Sequence, residues 1–205
     1  MVQLGRAPGL LVVHPSVPVT GMADYVTYAR ANPGKLNFGT MGAGSTSHLV
    51  GAWLAELTQT QLTMVHYKGA QLMTDLLAGN LQITAGSAAN VGPLVKAGKS
   101  RAVAIAGPVR VPAFPDVRTA REQGVNFDYP SWVGLTVPAG TPPSIIAKLN
   151  AEILKLQKLP EILQAIERQG SMPAGGAAAE FGRLLGEEIE RWKALVKKNG
   201  IKLES

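Results

Sequence analysis

A chain of 205 residues, 46% hydrophobic and 17% charged, is long enough for one large domain or two small ones and has the composition of an ordinary globular protein. It contains no cysteine, which excludes disulfides, thiolate catalysis and cysteine-based zinc sites together. The net charge of +6 is scattered, and its densest group (Lys193, Lys197, Lys198, Lys202) lies among glutamates, so no nucleic-acid partner is expected, while small anions are attracted.

Leu10 to His14 reads as a strand, within which the longest apolar run, Gly9 to Val13, is too short to span a bilayer. Residues Met1 to Arg6 are followed by no apolar core or small-residue cleavage site, so no signal peptide is read there. Gly21 to Asn32 reads as a helix stopped by Asn32-Pro33-Gly34. Leu36 to Phe38 is a short strand, and Ser45 to Thr58 an amphipathic helix with Leu49, Trp53, Leu54 and Leu57 on one face. The alternation continues with strand Leu62 to Tyr67, helix Ala70 to Ala78, strand Leu81 to Ala85, helix Ala88 to Ala97 and strand Arg101 to Ala106. Such alternation with short connections predicts a parallel sheet covered on both faces.

Beyond Gly107 the texture changes. Pro108, Pro112 and Pro115 punctuate a loop, a short helix is read around Val117 to Gln123, and Tyr129 to Val137 reads as a strand. Pro142-Pro143 opens a helix running to about Lys158, another covers Glu161 to Gln169, and the longest starts near Ala177 and ends at Asn199-Gly200. The apolar faces of these helices (Ile145, Ile146, Leu149 and Ile153 in the first) need a sheet to cover, and this half supplies little strand.

The stretch Gly39-Thr40-Met41-Gly42-Ala43-Gly44-Ser45-Thr46-Ser47-His48 joins a strand to a helix, where backbone N–H groups are unpaired and the helix dipole is positive. Glycines allow close approach of a ligand, and Ser45, Thr46 and Ser47 add hydroxyl donors, which together make an anion cradle. Read alone, the string is also a glycine turn followed by a serine N-cap. Tyr67-Lys68-Gly69-Ala70 and Ala85-Gly86-Ser87-Ala88 are junctions of the same kind, and a parallel sheet brings all three to the carboxyl edge where open α/β sheets bind ligands. Their donors are mainly neutral, which suits a carboxylate rather than a polyphosphate. There is no Gly-x-Ser-x-Gly elbow and no His-Glu-x-x-His. Neither enzymatic activity nor a cofactor or metal is expected: His14, His48 and His66 are read as packed or hydrogen-bonded residues, and the sparse acids are not paired at ligand spacing. Trp53 and Trp192 fit helix core faces, whereas Trp132 is placed to line a cleft.

Pro15-Ser16-Val17-Pro18-Val19, Ala31-Asn32-Pro33-Gly34-Lys35-Leu36-Asn37-Phe38-Gly39, the loop ending in Ser47-His48-Leu49, and Tyr67-Lys68-Gly69 resemble the Bug/TctC family, the substrate-binding receptors of tripartite tricarboxylate transporters. The likeness continues through Leu76-Leu77-Ala78-Gly79, Phe114-Pro115-Asp116-Val117, Ser131-Trp132-Val133-Gly134-Leu135 and Pro138-Ala139-Gly140-Thr141-Pro142. The resemblance implies an α/β fold of the type II periplasmic-binding-protein (Venus flytrap) kind. One complete parallel or mixed-sheet domain at 15–128 is implied, with 1–14 and 129–205 as the C-terminal remnant of the other. It implies a periplasmic receptor that holds a small organic or amino-acid carboxylate and hands it to membrane transporter subunits. The ligand would sit on Gly42, Gly44, Ser45, Thr46, Ser47, His48, Tyr67, Gly69, Ala70, Ser87 and Trp132. Family members carry about a hundred residues before the position matched by Val2. Half of the clamp is therefore expected to be missing, and self-association through the uncovered remnant is expected. His66 stands where the family usually has proline, Gln82 where aspartate is common, and Ala85-Gly86-Ser87 replaces a more polar loop. A truncated relic without transport activity and a ligand-sensing module are the alternative readings.

Overall fold

A computed structural model describes residues 2–168 and 171–201; Met1, Gln169 and Lys202, named above, lie outside the described residues. In chain order the elements are β1 (Val2–Val13), α1 (Met22–Ala31), β2 (Leu36–Thr40), α2 (Thr46–Thr58), β3 (Leu62–His66), α3 (Gln71–Ala78), β4 (Ile83–Ser87), α4 (Ala88–Lys96), β5 (Arg101–Ala106), β6 (Pro130–Leu135), α5 (Pro143–Leu156), α6 (Pro160–Arg168), β7 (Met172–Pro173) and α7 (Ala178–Lys198). The chain divides into two compact units, Met1–Ala7 with Pro130–Lys193, and Pro8–Tyr129 with Ala194–Ser205. The division falls inside β1, whose residues Gly9–Val13 pair with β4 and β5 of the larger unit.

In the larger unit the strands run in the order β3-β2-β4-β1-β5. β2 is parallel to β3 and β4, while β1 is antiparallel to β4 and β5. Four strands thus point one way with β1 reversed among them, so the sheet is mixed rather than purely parallel. Both faces of β1 are buried. Leu10 and Val12 join Leu72 and Leu76 of α3, Val91 of α4 and Ile105 of β5 in one cluster, while Leu11 and Val13 are also fully buried. Each such side chain contributes about 1.5–3 kcal/mol on burial. The buried side of α2 is Val50, Gly51, Leu54 and Thr58, and Leu57, expected on that face, is exposed. The cause is Gly51: a Cβ there would stand 2.8 Å from the Phe38 ring, so helix and β2 approach too closely for any side chain at that position and the contact stripe centres on it. Trp53 does pack, with its ring 5.4 Å from that of Phe127.

The helix expected over Val117 to Gln123 shrinks to one 3-10 turn, Arg121–Gln123. Thr119 is drawn into a parallel bridge with Ile105, and the Thr119 and Glu122 side chains each bond the other's backbone N–H, which starts the helical turn late.

In the smaller unit β7 pairs with β1 at Gly5↔Pro173 and Arg6↔Met172, and the Gln157 side-chain amide donates to the carbonyls of Leu4 (2.8 Å) and Ala174. Trp132 of β6 donates its indole N–H to buried Glu188 of α7 at 2.8 Å and meets the Phe181 ring edge-on at 5.0 Å. Helix α5 has no buried residue, and Ile145, Leu149 and Leu156 remain exposed, as do Leu159 and Ile162 beyond it. Among the described residues no helix is long and apolar enough to cross a membrane.

Candidate functional site

The register of the larger sheet brings Thr40, His66 and Ser87, the last residues of β2, β3 and β4, to one edge, and each strand leads into a helix there. The β2–α2 loop is the most elaborate of these junctions. Gly42 and Gly44 have φ of +112° and +73°, a region that side chains with a Cβ rarely adopt. These two reversals fold the loop over the start of α2. The Ser45 hydroxyl donates to the Gly42 carbonyl at 2.7 Å, and its oxygen accepts from the His48 N–H at 3.3 Å as the N-cap. Ser47 Oγ accepts from the Met41 N–H at 2.8 Å, and His48 Nδ1 accepts from the Gly44 N–H at 3.0 Å. The loop is therefore closed by its own side chains, and the backbone N–H groups of Thr46 and Ser47, in the first turn of α2, have no acceptor within the helix.

Because Nδ1 of His48 accepts a hydrogen bond, its neutral ring carries the proton on Nε2, which makes that atom a donor. Burial pushes this imidazole below its ordinary titration range, and the neighbouring His66 pushes it further. The two rings meet edge-on, 4.7 Å apart. His66 is in turn tied through Nδ1 to the Thr40 hydroxyl at 2.6 Å. The Ser45 hydroxyl hydrogen is spent on Gly42, so Ser47 donates its own to Ser45 Oγ at 3.1 Å, and the edge offers as neutral donors two helix-start amides, the Thr46 hydroxyl and an imidazole N–H. This chemistry matches a carboxylate, whose oxygens accept and never donate when ionised.

The other candidates differ in what they can offer. Tyr67 donates its N–H to the Thr40 carbonyl at 2.9 Å and its hydroxyl to Asp75 at 2.9 Å, so its polar hydrogens are engaged. Burial, then the hydrogen bond and charge of Asp75, push the Tyr67 hydroxyl above its ordinary range. Gly69 has φ +74° with open space where a Cβ would be, and Ala70 opens α3 without a side-chain cap. Ser87 Oγ accepts from the Asn90 N–H at 3.3 Å and caps α4, leaving its own hydrogen to donate. Gly42, Gly44, Ser45, Thr46, Ser47, His48, Tyr67, Gly69, Ala70 and Ser87 all lie in the larger unit; Trp132 belongs to the smaller one, held there by Glu188 and Phe181. Sequence reasoning left out Thr40 and His66. Their signal was present: each ends one of two neighbouring strands, and parallel pairing sets such residues side by side.

Ser45→Ala is expected to lower stability by about 1 kcal/mol, the ordinary value of a serine N-cap, and Ser45→Gly by only a few tenths. Urea unfolding midpoints check this; an undiminished stability in Ser45→Ala would mean that the cap hydrogen bonds contribute nothing.

A family profile described as "Tripartite tricarboxylate transporter family receptor" (TctC) matches residues 1–201. The chain belongs to this receptor family. Its members are substrate-binding receptors, not enzymes. A protein from the tcbD-tcbE intergenic region of Pseudomonas sp. (strain P51) is 33% identical over 192 residues, which cover 92% of this chain and 57% of that protein. Among solved structures, R. palustris Rpa4515 with adipate is 33% identical with a TM-score of 0.82, covering 98% of this chain and 68% of that one. MatC (Rpa3494) from Rhodopseudomonas palustris with bound malate is 29% identical with a TM-score of 0.78, covering 95% of this chain and 68% of that one. The fold is therefore the α/β periplasmic-binding-protein fold of this family. The chain spans 57% and 58% of the length of the first two curated relatives that it matches, and 62% of BugT from Bordetella pertussis.

Proposed function

We propose that this chain takes part in an extracytoplasmic receptor, holding a small organic or amino-acid carboxylate at the β2–α2 loop for delivery to the membrane subunits of a tripartite tricarboxylate-type transporter. The observation that carries this reading is the first turn of α2. Unpaired amides, the Thr46 hydroxyl and the Nε2–H of a neutral His48 gather there at the carboxyl edge of a receptor-family sheet. Adipate and malate in related structures point to dicarboxylates as the first class to try. On this reading the periplasm is the working compartment. The larger unit corresponds to the inserted domain of 15–128, and the smaller to part of the first domain.

Calorimetry and thermal shift with a panel of mono-, di- and tricarboxylates test the reading. At least one acid is expected to titrate and raise the melting temperature; a silent panel would favour the relic reading, and turnover of any member would favour an enzyme. The exposed Ile145, Leu149, Leu156, Leu159 and Ile162 further support self-association of the chain. Light scattering that returns a monomer at every concentration removes that part of the proposal.

A further inference from the structure

We propose that the smaller unit has a binding site of its own, a cleft between β1 and α7 that takes a small organic monoanion: an apolar body ending in one carboxylate. The cleft has a volume of about 330 Å³, near the lower end for ligand pockets, which limits it to a small molecule. Every residue that lines it belongs to the smaller unit, so it is distinct from the β2–α2 loop. From α7 come Glu180, Arg183, Leu184 and Glu187, whose i, i+3, i+4, i+7 spacing lays them along one stripe of the helix, with Phe181 beside it. From β1 come Gln3 and Arg6.

What these groups leave unmatched decides the ligand. Both acids have partners: Glu180 accepts from the Ala177 N–H at 3.0 Å where α7 begins, and Glu187 faces Arg183 at 3.9 Å one turn away. Arg6 has no ion pair and no side-chain hydrogen bond among the described residues. Gln3 is only 5% exposed, and its Nε2 is buried without an acceptor. A buried donor left unpaired is costly, and a guanidinium donates without accepting, so the β1 side lacks an acceptor. An ionised carboxylate accepts only, and it matches the guanidinium fork. On the α7 side, buried Phe181 and half-buried Leu184 form an apolar wall for the rest of the molecule, and the Trp132 ring braces Phe181. The two arginines of the cleft are balanced by its two glutamates. A second negative charge on the ligand would therefore lie near Glu180 and Glu187 and meet repulsion.

The test is 15N NMR of the whole chain, following the Gln3 side-chain amide and the Arg6 Nε–H while hexanoate or adipate is added at pH 6.5. The two acids share a six-carbon chain and differ in having one carboxylate or two, each largely ionised at this pH. Hexanoate is expected to move both signals along one saturating curve, and adipate to bind the cleft roughly fivefold more weakly, the size of one like-charge contact at a partly exposed site. Arg6→Gln, which removes the charged fork, is expected to weaken hexanoate about 10- to 100-fold. Leu184→Trp, which fills the cleft from the α7 side, is expected to abolish the shifts. Unmoved Gln3 and Arg6 signals overturn the inference without any variant, and hexanoate shifts confined to Gly44 and His48 overturn it while leaving the receptor reading in place. Equal binding of the two acids at the cleft, or full affinity in Arg6→Gln, overturns it as well.

Discussion

Phe38→Ala is expected to lower the unfolding free energy by about 3–5 kcal/mol, the range for removing a fully buried phenylalanine. Phe38 is wholly buried on β2, which lies between β3 and β4, so its ring sits at an interior position of the sheet. Collapse cannot close the hole cheaply. Gly51 of α2 already lies against the ring and has no side chain of its own with which to fill the space. The residue before the helix start that caps α2, and the strand end at Thr40, hang from these same two elements. Urea unfolding of the variant checks the figure. A loss below about 1 kcal/mol would mean that α2 and β2 re-pack without Phe38, against the close approach read from Gly51.

His48→Ala is expected to weaken carboxylate binding about 10- to 100-fold, the loss of a hydrogen bond to a charged group. Two roles are superposed in this side chain, and a second variant separates them. Its Nδ1 anchors the Gly44 N–H, whereas its Nε2–H is directed by that bond to be a donor. An asparagine amide oxygen can take over the first role, while its NH2 group stops short of the place that the Nε2–H occupies. His48→Asn is therefore expected to keep the stability of the loop while losing most of the affinity for adipate by calorimetry. Unchanged affinity in His48→Asn would remove His48 from the ligand's contacts and leave it a structural clasp.

The local features were legible because they depend on neighbours in sequence. Ser45 before an apolar run marks an N-cap, and Asn32-Pro33-Gly34 and Gly79 mark helix ends, with Gly79 found at φ +78°. What depended on distant partners was not. Periodicity in Leu10 to Val13 identifies a strand buried on both faces but carries no sign of its direction, so its reversal between β4 and β5 was invisible. The contact stripe of α2 turned away from Leu57 because of a ring on another element, Phe38. At the site, the glycine loop and its serines could be read as a string, while the tie between Thr40 and His66 required the register of β2 on β3. The hydrogen bond of Trp132 to Glu188, more than fifty residues further on, could not be read from its own neighbourhood in sequence.

The place of β1 has a consequence for how the molecule is made. It precedes both of its neighbours β4 and β5 in the chain, yet it fills the slot between them, and its nearest pairing is Val13 with Ile83, followed by Val13 with Arg101. A ribosome therefore releases Leu10 to Val13 long before either neighbour exists, and this greasy segment must wait while β2, β3 and their helices emerge. Assembly in order of synthesis would build a partial sheet with a gap and then require a strand made before its neighbours to enter between them. Such long-range pairing is expected to slow folding, because the loop between the partners must close before the contacts form.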